Sequence, residues 1–171
     1  MGILDFLFGG KEDPTKEWPV QEFAMPDFDL SDMSFGPLHF GCELSLAYVF
    51  GRPDLFTWRG SDYCELLYAR HGFQIDFENG CLRYIAFFIG PDSLLPDHPK
   101  MVFAKPWLKK IAQFTSATNA DGLKKILGDA SSEDFDNDEI ILTFSRSGLL
   151  LEFELTTEAF LKRWNIFPEA G

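Results

Sequence analysis

Residues 65–89 read Glu-Leu-Leu-Tyr-Ala-Arg-His-Gly-Phe-Gln-Ile-Asp-Phe-Glu-Asn-Gly-Cys-Leu-Arg-Tyr-Ile-Ala-Phe-Phe-Ile, and the fold turns on how this stretch is read. Leu66, Tyr68 and Arg70 alternate with Leu67, Ala69 and His71. Phe73, Ile75 and Phe77 alternate with Gln74, Asp76 and Glu78. A period of two puts successive side chains on opposite faces of a strand. Asn79-Gly80 is the pair that a two-residue type I′ turn demands, because both positions need positive φ. His71-Gly72 reads as a second two-residue turn, and a third strand runs from Leu82 to Phe88. That register sets Tyr68 opposite Ile75, Leu66 opposite Phe77 and Phe77 opposite Leu82. Asp76 then faces Arg83 in a cross-strand ion pair worth ~0.2–1 kcal/mol.

Working outward, the same pattern occurs twice. Upstream, Leu46, Val49 and Phe50 share a helical face, Gly51 stops the helix and Pro53 blocks its continuation. Leu123, Ile126, Leu127 and Gly128 repeat that face and stop at one constant offset. Leu142, Phe144, Arg146, Gly148, Leu149, Leu151, Phe153 and Glu154 repeat Leu66, Tyr68, Arg70, Gly72, Phe73, Ile75, Phe77 and Glu78 at an offset one residue shorter. A helix on a short meander buries little alone, and two such modules joined edge to edge share one core. A third helix is read over Pro106–Phe114 from Trp107, Leu108, Ile111 and Phe114. After Glu154, Thr156, Thr157 and Glu158 read as a helix start with Phe160, Leu161 and Trp164 on one face, and a strand is the alternative.

The predicted fold class is α+β: a duplicated helix-plus-antiparallel-meander module forming one curved antiparallel sheet with helices packed on one face. Residues 1–37 form an N-terminal wrapping segment, 38–105 the first repeat and 106–171 the second. Pro14, Pro19, Pro26 and Pro37 forbid a long helix over residues 11–37, while Trp18, Phe23, Phe28 and Phe35 have area to bury. Ile3, Leu4, Phe6 and Leu7 are read as a first turn or strand tucked into the body, or else as a small docking peptide.

Gly41, nine residues, then Gly51-Arg52-Pro53-Asp54 resembles the helix and loop of the small outer-membrane lipoprotein family SmpA/OmlA. It also resembles the tandem module of β-lactamase inhibitor proteins. The likeness spans residues 38–89 and again 116–154, with Gly41, Gly51, Pro53 and Gly72 as fixed points. Thr118 and Ala130 stand in the second copy where the first has Gly41 and Pro53. The resemblance implies a curved sheet with helices behind it and an open face that grips another protein.

Net charge is −12, from 15 basic and 27 acidic residues. That excludes most nucleic-acid readers and disfavours docking on anionic membranes. Cys42, Cys64 and Cys81 are odd in number and form no C-x-x-C, and the N-terminus has no basic n-region of an export signal. Free thiols and a cytoplasmic location are expected. His39 and Cys42 are spaced to meet on a turn but lack an orienting group, and a structural histidine is the expected reading. Asp134, Asp136 and Asp138 open like a calcium loop, yet Glu139 holds the position that needs Gly and Ser145 the one that needs Glu, so a solvated loop is expected. Asp76 and Glu152 are read as solvated rather than as a hydrolytic pair. No cofactor or metal is expected.

The resemblance, together with apolar anchors ringed by acids on the open face, implies a non-enzymatic protein-binding domain, inhibitor- or immunity-like, with a basic protein partner. Its expected contact surface is the open face: the apolar residues Leu67, Ile85, Phe87, Ile141 and Leu150, with Asp76, Glu78, Arg83, Glu152 and Glu154. The alternative is a small-ligand or enzymatic domain with a pocket between the sheet and the Trp107 or Trp164 region.

Overall fold

The computed structural model describes residues 11–135 and 138–169. The expectation for Ile3 to Leu7, and the Asp136 position of the acidic loop, lie outside the described residues. In chain order come three two-residue strands: β1 (Phe28–Asp29), β2 (Ser34–Phe35) and β3 (Leu38–His39). A 3-10 helix (Leu44–Phe50) precedes a first meander of β4 (Leu55–Trp58), β5 (Tyr63–Tyr68), β6 (Phe73–Glu78) and β7 (Cys81–Phe88). The hairpin β8 (Trp107–Leu108) and β9 (Ala112–Gln113) follows, then helix α1 (Ala120–Leu127). A second meander closes the chain: β10 (Ser132–Phe135), β11 (Glu139–Arg146), β12 (Leu149–Thr156) and β13 (Leu161–Pro168).

The meanders join through β13 and β7 into one eight-stranded antiparallel sheet of order β10-β11-β12-β13-β7-β6-β5-β4. A smaller sheet of order β3-β2-β1-β8-β9 packs on its apolar face. Phe28, Phe35, Leu38 and Leu108 from the small sheet meet Phe73, Phe87, Phe153 and Trp164 from the large one. Trp164 is completely buried, stacked 5.5 Å from Phe153 and 5.2 Å from Phe87, with the edges of Phe28 and Phe114 against it. Residues 11–37 therefore wrap the core side of the sheet and leave its other face to be covered or not by other segments.

The expected α+β class, with helices along one sheet face, is corrected: the described chain is mainly β, with two short helices. Three local reasons account for it. Trp107 to Phe114 form a hairpin, not a helix. Trp107 pairs with Gln113 and Leu108 with Ala112, around a turn in which Lys110 takes φ 60°. Bulky and branched residues after a proline suit that geometry at least as well. The 3-10 helix has three residues per turn, so Ala47 and Phe50 are buried while Leu46 and Val49, expected inside, face out. The C-terminal segment is strand β13, because Trp164 and Ile166 alternate with Arg163, Asn165 and Phe167 and continue the sheet's period of two.

Two register corrections place the site. The β5–β6 connection is Ala69-Arg70-His71-Gly72, four residues long, so Tyr68 pairs with Phe73 and Leu66 with Ile75. Asp54 holds that loop by accepting from the Arg70 backbone N–H and Nε at 3.1 and 2.9 Å. A slip of two residues keeps every side chain on its expected face. The Asn79-Gly80 turn joins Glu78 to Cys81 with φ 52° and 76°, as a type I′ turn requires. Beyond it a bulge inserts Arg83, so Asp76 stands opposite Tyr84. One extra residue inverts the alternation that follows. Ile85 and Phe87, expected on the open face, are core residues, and Tyr84, Ala86 and Phe88 take their places outside.

Gly72 and Gly148 close the corresponding hairpins of the two meanders, at φ 72° and 78°. Their surroundings differ. A Cβ on Gly72 would lie 2.5 Å from the Val102 carbonyl oxygen and 2.6 Å from the Ala104 nitrogen, whereas one on Gly148 would meet nothing within 4 Å. Gly148→Ala is expected to cost about 1–2 kcal/mol from backbone conformation alone. Gly72→Ala should cost a further 1–3 kcal/mol, roughly, because backbone atoms must move. Urea denaturation of the two variants measures the difference, and equal midpoints would contradict it.

Candidate functional site

Opposite the small sheet, the second face of the large sheet carries a polar network built across both meanders. On the first, Asp76 is only 3% exposed. It accepts from Tyr63 Oη at 2.6 Å and Gln74 Nε2 at 2.8 Å, and Glu65 stands directly across the strand pair. Burial pushes the Asp76 carboxyl up to about 6. The two hydrogen bonds oppose that shift and the neighbouring Glu65 adds to it. Tyr63 is likewise raised, by burial first and then by the Asp76 hydrogen bond. Arg59 offsets part of the charge by pairing with Glu65 at 3.0 Å.

On the second meander Asn165 is the organiser. Its amide donates to Glu152 at 3.0 Å and Glu154 at 2.6 Å, and its carbonyl oxygen accepts from Tyr84 Oη at 2.7 Å. That last bond crosses the seam between β7 and β13. A second bulge, between Glu154 and Leu155, sets Glu154 opposite Arg163 and leaves Lys162 as the extra residue. Arg163 pairs with Asp92, whose side chain is almost wholly buried, and Lys162 bonds Glu139 at 2.6 Å. Burial works against the Asp92 carboxylate, but the Leu94 N–H and Arg163 hold it below its ordinary value. Burial raises Glu154, against Arg163 and Asn165.

The expected contact residues divide accordingly. Glu78, Arg83, Ile141, Leu150 and Glu152 are accessible on or beside this face. Leu67, Asp76 and Glu154 belong to it but are buried, Leu67 under Leu95 and Met101 of the 90–101 connector. Ile85 and Phe87 are absent from it for the reason given above. The expected Asp76–Arg83 pair does not form: Arg83 bonds Glu78 at 3.2 Å instead. Asp76 and Glu152 lie on strands three spacings apart, about 14 Å, too far for a hydrolytic carboxylate pair. Residues not foreseen are Tyr63, Glu65, Gln74, Tyr84, Arg163 and Asn165. The alternation of Arg163 and Asn165 with Trp164 and Ile166 was the available signal.

Between the strands of the first meander and the 90–101 connector lies a cavity of about 380 Å³. Leu67, Ala86 and Phe88 form its floor, with Glu65, Tyr84 and Arg163 on its sides. The space expected beside Trp164 is filled by aromatic rings. Cys42 is buried and burial pushes its thiol up, away from nucleophilic use, while His39 is exposed. Cys64 is pushed up to about 11, chiefly by burial. Among the described residues no cluster of three or more metal-ligating side chains occurs, and no helix is long and apolar enough to cross a membrane.

No family model matches the chain, and no curated protein matches it. Among solved structures it is similar to a DUF4309 family protein, YjgB, from Bacillus subtilis subsp. subtilis str. 168. The TM-score is 0.46 at 14% identity, over 73% of this chain and 76% of that one. The expected resemblance to the β-lactamase inhibitor and SmpA/OmlA modules is not upheld. Those modules imply helices backing the sheet, and here a second small sheet and extended chain take that position.

The raised Asp76 carboxyl makes a signed prediction. A group whose folded value lies above its ordinary 3.8 stabilises the fold fully at low pH and loses that contribution as pH rises through the folded value. Asp76→Asn should therefore match or trail wild type near pH 4. Between pH 4 and 7 it should gain on wild type by about 2–3 kcal/mol. Parallel denaturant titrations across that range read the effect, and a constant difference would contradict it.

Proposed function

We propose that the protein is a non-enzymatic, inhibitor-like binding domain of the cytoplasm that takes a basic protein partner on the polar face of the large sheet. The observation carrying this reading is the sidedness of the molecule. The aromatic wrapping segment and the small sheet occupy one face. On the other, Glu152 and Glu154 flank partly exposed Ile141 and Leu150 on the second meander, and Glu65 and Asp76 add carboxyl groups on the same face of the first. Apolar anchors among carboxylates suit a cationic surface, since electrostatic complementarity speeds encounter and the apolar contacts hold the complex. The hydrogen bonds of Asn165 fix Glu152 and Glu154 in place, which lowers the entropy cost of using them. Three free cysteines fit a reducing compartment.

A second reading, a small-molecule site, draws support from the cavity beside Tyr84, whose size lies within the usual ligand range. The two separate in one experiment. Wild-type protein and the variants Glu152→Lys and Leu150→Asp are immobilised and exposed to the same cell extract, after thermal melts establish that all three are folded. A stoichiometric partner of basic isoelectric point, retained by wild type and reduced about tenfold or more by either variant, is expected. Equal recovery on all three surfaces, or a metabolite that copurifies with no protein partner, would overturn the binding-face reading.

A further inference from the structure

We infer that the groove between Trp18 and Tyr48 takes a proline-rich segment of a partner protein, one with lysine or arginine beside its prolines. The groove lies on the wrapped side of the molecule, away from the polar face, because Trp18 and Leu44 pack on the core cluster. Its volume is about 320 Å³, and Pro14, Trp18, Leu44, Ser45 and Tyr48 line it. The two rings stand 5.7 Å apart at 74° to each other, so they form adjoining walls and not a closed stack. The surface is open: Tyr48 is 53% exposed, and Pro14 and Ser45 are exposed as well. The wrapping segment holds it ready made. Asp13 accepts from the Thr15 N–H and hydroxyl at 2.7 and 2.6 Å, and the Trp18 N–H donates to the Thr15 carbonyl at 2.9 Å. Thr15 itself is wholly buried. A groove fixed in this way adds little ordering cost to binding.

The choice of occupant follows from what the walls offer. Tyr63, Tyr68 and Tyr84 each spend their hydroxyl inside the chain, on Asp76, the Gly51 carbonyl and Asn165. Tyr48 Oη and Trp18 Nε1 make no hydrogen bond among the described residues. The groove thus combines flat apolar rings with two unused donors. A proline-rich chain is the matching chemistry. Its rings lie on aromatic faces, its carbonyls accept, and its prolines have no N–H to leave without a partner. Strand addition has no edge to use here, since the Leu44 and Leu46 amides already donate to the Gly80 and Glu43 carbonyls. Charge sets the flanks. Glu17 and Glu43, next in sequence to Trp18 and Leu44, are exposed and have no ion pair among the described residues, whereas Glu12 pairs with Lys16 at 3.1 Å. With a net charge of −12 behind them, these carboxylates favour a cationic flank.

The probe is a capped oligoproline peptide with a lysine at each end, titrated into the full chain and followed by NMR. The Trp18 indole N–H and the Ser45 and Tyr48 amides should shift. Tyr48→Ala, a change at an exposed position, should weaken binding about tenfold. Trp18→Phe keeps an aromatic wall and removes the donor, and should weaken it severalfold. Glutamate in place of the peptide lysines should also weaken it severalfold, by a margin that closes at high salt. An unmoved Trp18 indole, or equal affinity when glycine replaces the prolines, would overturn the proposal. So would either of two other occupants. A second copy would appear as concentration-dependent association abolished by Tyr48→Ala. The chain's own residues 1–10 would appear as a shift of the Trp18 indole on Phe6→Ser with no peptide present. Leu150→Asp, on the opposite face, should leave peptide affinity unchanged, so this site and the polar-face reading fail separately.

Discussion

The pairing of β13 with β7 is the constraint on which the rest of the molecule depends. Each meander ends in a strand rich in apolar residues, and each would present an unpaired edge if it stood alone. Joined, they place Ile166 beside Ile85 and Trp164 beside Phe87. The indole is then stacked between Phe153 of the second meander and Phe87 of the first. Neither half contains both walls of that slot. The covering layer depends on the same slot, because Phe28 of the small sheet and Phe114 after the β8–β9 hairpin present their edges to Trp164. The same seam runs through the polar face, where Tyr84 bonds Asn165 across it. Core and candidate site therefore share one seam.

Bulges turn that scaffold into a site. In both meanders an extra residue, Arg83 or Lys162, enters near the start of the fourth strand. Each redirects the side chains after it. In the first meander, Tyr84 comes opposite Asp76, and Ala86 and Phe88 come under Leu95 and Met101 of the 90–101 connector. In the second, Arg163 comes opposite Glu154. Without these insertions the face would follow strict alternation, and Ile85 and Phe87 would lie where the cavity now is.

This explains which parts were legible in the sequence. The Asn79-Gly80 turn was readable because φ > 0 at two successive positions restricts the residues allowed, and the glycines at 72 and 148 marked bends for the same reason, although the first bend has four residues and the second two. Face assignment along β5 and β6 survived a register slip because the slip was two residues, while β11 and β12 pair without one, Arg146 opposite Leu149. The bulge at Arg83 was not readable: Leu82 to Phe88 alternates just as well in either phase, and only pairing with β6 selects one. The same ambiguity left β13 open between helix and strand: Phe160, Leu161 and Trp164 suit a helical face, and one of the two strands that pair with β13, β7, is distant in sequence. Tertiary pairing also overrode the helical spacing of Trp107 to Phe114, since Leu108 completes the small sheet beside Phe28.

The electrostatics of the polar face connect stability to binding. Asp76 is held in a buried position with Glu65 opposite, and Glu154 is buried beside Arg163. Burial raises both carboxyls, so their ionised forms cost the fold free energy at neutral pH. A fold selected for stability alone would place amides or apolar residues there, as buried charges replaced by well-packed neutral groups are often neutral or favourable. A cation brought to the face relieves that cost, and the relief adds to the affinity of whatever carries it. The same carboxylates then account for the cost carried by the free protein and underlie the positively charged partner proposed for it.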